Sequence, residues 1–109
     1  MDLEEYKKRM NAIRKTYVDT VQQIDDELAE KTRRYWIEED KLREERDKHP
    51  QGSEEWNKAV RASQALEEEW LKLNVKSTEA RKAALDAEDL AMDKFANELF
   101  RMEQKGFVA

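Results

Sequence analysis

Apolar side chains recur along the first half of this chain at steps of three and four residues. The stripe reads Leu3, Tyr6, Met10, Ile13, Tyr17, Val21, Ile24 and Leu28, then Tyr35 and Leu42. That spacing places them on one face of an α-helix and predicts a helix over 3–48. Two successive steps of four, Ile13 to Tyr17 to Val21, shift the heptad phase without breaking the helix. Asp2 reads as the N-cap, with Glu5 three residues later completing a capping pair. Pro50 ends the pattern, because the residue before a proline is driven out of the α region.

A second stripe follows: Trp56, Ala59, Ser63, Leu66, Trp70, Leu73, Ser77, Ala80, Ala84, Ala87 and Ala91, continuing through Phe95, Leu99 and Met102. It predicts a helix over 54–105, capped by Ser53 and opened by Glu54 and Glu55, whose charges suit a helix N-terminus. Gly106 suits a C-terminal cap, with Phe107 reaching back to Met102 and residues 106–109 forming a short tail. Residues 49–53 form the turn between the helices and hold Pro50, the single proline, and Gly52, one of two glycines. The alternative is a three-helix arrangement with a break near 74–78, where Ser77 or Thr78 would cap a new helix.

Folding the second stripe onto the first tests both. With the turn at Pro50–Gly52, facing residues have numbers adding to roughly 101 or 102. Trp70 then faces Thr32, Leu66 faces Tyr35, Leu73 faces Leu28, Ala84 faces Tyr17 and Ala91 faces Met10. Large side chains meet small ones at several levels, as interdigitated helix packing requires. The expected fold is all-α: one domain over 1–109 built as a long antiparallel two-helix hairpin, coiled-coil-like.

Each helix would run roughly 68 Å at about 1.5 Å per residue. Two such helices share one seam and bury little apolar area between them. Val18, Trp36, Ile37, Val60, Leu71, Val75, Leu85, Leu90, Met92 and Phe100 all fall outside that seam. A homodimer forming a four-helix bundle would cover most of them. Trp36, Ile37, Trp56 and Val60 cluster toward the turn, and Leu71 and Val75 extend the set along the second helix. These six are the candidate protein-binding residues, because aromatic and aliphatic anchors off the main seam are typical of interfaces. Closing the end of the bundle is the competing role for Trp36 and Trp56.

Composition supports helices over disorder. Charged residues make up 43% and hydrophobic ones 39%, but the apolar positions are periodic and glycine and proline are nearly absent. Glu-to-basic pairs four residues apart, such as Glu30 with Arg34, Glu39 with Arg43 and Glu68 with Lys72, read as solvated helix support. The net charge of -5 comes from 26 acidic and 21 basic residues, with no basic block to mark direct nucleic-acid binding. A start at Met1-Asp2-Leu3-Glu4-Glu5 lacks a secretory pattern, and no apolar run approaches membrane-spanning length. A soluble, cytoplasmic protein is expected.

Candidate chemistry is sparse. Without cysteine there is neither a disulfide framework nor a thiolate metal site, and the only histidine, His49, sits in the turn. No Glu-x-x-His pair is present to build a carboxylate-bridged metal centre in a bundle. The acidic runs Asp25-Asp26-Glu27, Glu38-Glu39-Asp40 and Glu67-Glu68-Glu69 each have basic neighbours within a turn, unlike a general acid held in a cleft. No phosphate-binding glycine loop or serine elbow occurs. No catalytic residue, metal or cofactor is expected.

In shape the chain resembles the small charged helical hairpins of phage and bacterial accessory proteins, export chaperones and assembly adaptors, and shape alone implies no activity. Two functions compete. One is a non-enzymatic adaptor, assembly or regulatory factor that pairs with itself and with another protein through apolar helix faces. The other is an acidic inhibitor that imitates nucleic acid, for which the interleaved Lys and Arg are a poor match.

Overall fold

The computed structural model describes residues 1–105 of the chain. Two helices account for almost all of them: α1, Leu3–Asp47, of 45 residues, and α2, Glu54–Gln104, of 51. They form an all-helical hairpin, with no strand among the described residues. The ending expected from Gly106 and Phe107 lies outside the described residues.

Both N-termini are capped as the sequence implies. The Glu5 amide donates to Asp2 Oδ1 at 2.8 Å, and the Trp56 amide donates to Ser53 Oγ at 3.2 Å. Each bond satisfies one of the amides that a first helical turn leaves without a partner. Between the helices, the Ser53 amide donates to the Pro50 carbonyl at 3.0 Å across a tight reversal. Gly52 stands third in that turn with φ of +84°, a conformation that side-chain-bearing residues rarely adopt. His49 closes the end of α1, its Nε2 lying 3.3 Å from Glu45 Oε1.

The three-helix alternative is not what the chain adopts, since α2 runs unbroken through 74–78. The polar side chains that suggested a break are absorbed by the helix. Asn74 Nδ2 donates to the Trp70 carbonyl at 2.8 Å, and Thr78 Oγ1 donates to the Asn74 carbonyl at 3.0 Å. Such back-bonding to the fourth residue upstream gives these side chains a partner without ending the helix.

The helices contribute to two compact units, one formed by Met1–Ile24 with the described residues from Glu79 onward and the other by Asp25–Thr78. In the first, Tyr6 packs on Phe95 with ring centroids 5.5 Å apart, and Phe95 is 4% exposed. In the second, Tyr35 stacks on Trp70 at 5.0 Å, and Trp70 Nε1 donates to Thr32 Oγ1 at 3.2 Å. The pairing of Trp70 with Thr32 is the one the sequence implies. Only Ala59, Phe95 and Glu39 are buried among the described residues, so packing is confined to a narrow seam.

Since nothing lies within 4 Å of a Cβ built on Gly52, replacement there acts through the backbone alone. Gly52→Ala is expected to cost about 1–2 kcal/mol, and Ser53→Ala about 1 kcal/mol through the lost cap. Urea unfolding followed by circular dichroism checks both. Equal stability for wild type and Gly52→Ala would mean the reversal adopts another conformation in solution.

Candidate protein-binding site

The Asp25–Thr78 unit carries all six candidate protein-binding residues. Its centre is the Tyr35–Trp70 stack, with Trp36 set edge-on to Tyr35 at 5.2 Å and tilted to Trp70 at 6.4 Å. Desolvation between these rings raises the Tyr35 phenol above its ordinary value, and Glu39 and Glu67 add to the effect. One turn along α1, Glu39 enters the seam at 8% exposure and accepts a hydrogen bond from Ser63 Oγ at 2.6 Å. Arg43 Nε stands 3.5 Å from its other oxygen.

Glu39 corrects the sequence reading, which took its pair with Arg43 as solvated helix support. The apolar stripe steps by seven from Leu28 to Tyr35 and again from Tyr35 to Leu42. The skipped seam positions belong to Thr32 and Glu39, and each meets a polar partner on α2. A step of seven in a three-four pattern is the signal that would have found them.

Trp36 and Ile37 are 51% and 49% exposed and line one groove of about 580 Å³ on the flank of α1. Asp25, Leu28, Ala29, Thr32, Arg33 and Asp40 line the rest of it. Leu71 and Val75, four residues apart and therefore on one face of α2, are 51% and 58% exposed. Trp56 and Val60 differ from these four. Both are half-buried, and Trp56 sits in the first turn of α2, so they belong more to the closed end of the unit than to its free surface.

The other unit contains two further features that sequence reasoning missed. Arg9 reaches across to Glu98, with Nη1 donating to Oε1 at 2.8 Å, while its guanidinium lies 4.6 Å from the centroid of the Phe95 ring. Glu5 stands four residues from Arg9 on its own helix, but the bidentate fork and the ring face favour the partner on α2. The Arg9 hydrogen bond holds the Glu98 carboxyl below its ordinary range, against the opposing effect of desolvation. The second feature is a groove of about 340 Å³ between Ile13, Tyr17 and the alanines Ala84, Ala87 and Ala91, with Glu88 on its wall. Ala84 and Tyr17, which the sequence places opposite each other, both line this groove.

Among the described residues, no three of His, Cys, Asp and Glu converge as metal donors, and no helix is long and apolar enough to cross a membrane. The chain matches no protein-family model, no curated protein and no solved structure.

Two carboxyls, Glu98 beside Arg9 and Glu45 beside His49 and Lys48, are depressed below the ordinary value of 4.5. A depressed folded value stabilises the fold above the ordinary value, and that contribution is lost as pH falls through the folded value. Wild type is therefore expected to lose stability below about pH 4.5. Glu98→Gln should be less stable at neutral pH and lose less on acidification. Urea midpoints measured across pH for both chains test this, and parallel curves would remove Glu98 as a contributor.

Proposed function

We propose that this chain is a non-enzymatic helical adaptor, an assembly or regulatory factor that works by presenting apolar helix faces to protein. The observation that carries this reading is the half-exposed set Trp36, Ile37, Leu71 and Val75 on a chain with almost no buried core. Exposed apolar side chains grouped this way mark interaction surfaces more often than they occur by chance on a solvated helix. Covering them with a second copy, as a homodimeric four-helix bundle, removes their area from water and adds the core the single hairpin lacks. A further protein partner would use whatever part of these faces the dimer leaves open. The setting that fits is the cytoplasm, in the manner of phage or bacterial accessory proteins.

The nucleic-acid-mimic reading has weaker support. Glu30, Glu38, Glu45 and Glu68 each sit in an ion pair with a nearby Arg or Lys, which breaks up the continuous anionic surface a mimic needs.

Light scattering of the full chain at micromolar concentration is expected to give at least twice the 13.0 kDa chain mass. Ile37→Asp and Leu71→Asp should weaken association by about 2 kcal/mol or more, as loss of an interface anchor does, with helix content unchanged. These positions suit the test better than Trp36, whose ring also supports the Tyr35–Trp70 stack. A wild type that stays monomeric at all concentrations, and binds no protein recovered on it from a host lysate, would defeat the adaptor reading.

A further inference from the structure

The groove at Trp36 and Ile37 is lined by α1 alone, and two of its lining residues, Arg33 and Asp40, are charged and exposed. The charged residues beside them are committed: Arg34 pairs with Glu30, Lys41 with Glu38 and Arg43 with Glu39. Neither the Arg33 nor the Asp40 side chain has an ion-pair or hydrogen-bond partner among the described residues. They do not meet each other, since seven residues of helix rise about 10 Å. The positions three and four residues from each, in the direction of the other, are Trp36 and Ile37 in both cases. Arg33 and Asp40 therefore lie along one line of the helix, with an apolar side chain to either side of its midpoint.

We propose that this patch pairs with the same patch of a second copy, the two α1 helices running antiparallel about a twofold axis between Trp36 and Ile37. An axis there brings Arg33 of each chain level with Asp40 of the other, and gathers Trp36 and Ile37 of both chains around it. A twofold contact has to be complementary to itself. The order cation, apolar pair, anion meets that condition, because reversed it becomes its own partner. A parallel pairing sets Arg33 against Arg33 and Asp40 against Asp40, so the charges select the antiparallel direction. Covering Trp36 and Ile37 supplies the energy, and the two ion pairs supply the register. A second copy is the occupant because this one face holds both members of each ion pair. The proposal rests on the self-association in the function proposed above and gives it a face and a direction.

Sedimentation equilibrium of the full chain and three charge variants tests it, with circular dichroism following helix content. Arg33→Glu sets two carboxylates against each other at both ends of the contact, and Asp40→Arg sets two guanidinium groups there. Each is expected to weaken dimerisation at least about tenfold, because two attractions become two repulsions. Combining both changes in one chain restores dimerisation, and so does an equimolar mixture of the two single variants, since opposite charges then face each other again. Helix content stays the same throughout. A wild type that dimerises while both single variants dimerise equally well overturns this proposal, as does a double variant no better than the single ones. Either result leaves the proposed function standing, with a different face covered. A wild type that stays monomeric also overturns the proposal, and leaves that function to a different protein partner.

Discussion

The reversal at Pro50–Ser53 is the constraint on which the rest depends. A helix with a single apolar stripe has no stable place for that stripe in water until another surface covers it. The turn supplies that surface from the same chain and fixes which residues meet. Gly52 accepts the positive φ, the Ser53 amide closes on Pro50, and Ser53 then caps α2. Once those geometries are set, the pairings follow. Glu39 meets Ser63 and Trp70 meets Thr32, and Tyr6 meets Phe95 in the other unit. A slip of one residue on either helix would turn these partners away from each other.

Polar residues in the seam make that register more specific than aliphatic packing would. Leu against Leu tolerates a shift of several residues along a three-four repeat, because the next apolar residue fills the place of the last. Glu39 does not tolerate it. Its burial is acceptable only while Ser63 and Arg43 satisfy its oxygens, and a shifted partner would leave it buried and unmet. The same holds for the Trp70 indole, whose single N–H finds Thr32. Polar groups at otherwise apolar seam positions are a recognised means of fixing helix register at some cost in stability.

What the seam does not cover is what the protein has available for function. Each unit presents a different surface: an aromatic and aliphatic face around Trp36 and Ile37 in one, and a small-residue groove with a single carboxylate in the other. Exposed ion pairs elsewhere, such as Arg34 with Glu30 or Lys72 with Glu68, add little energy individually and serve the helices that carry these faces.

The sequence alone determined the two helices, their N-terminal caps, the reversal and, through the register the reversal sets, the pairing of Trp70 with Thr32. A three-four repeat, a Ser or Asp before an apolar run, and a lone Pro–Gly pair act within a few residues and need no knowledge of the fold. It also identified Trp36, Ile37, Leu71 and Val75 as lying off the seam, which is a matter of helical phase. Only the tertiary structure decided which polar residues enter the seam and which apolar ones stay half-exposed. Glu39 looks like any surface glutamate until Ser63 arrives from 24 residues away. Arg9 has a partner on its own helix until Glu98 offers better geometry from 89 residues away. Val60 has the helical phase of an off-seam residue but is half-covered. In each case the outcome depends on desolvation and on the position of a partner, which are properties of the packed helices rather than of any window of sequence.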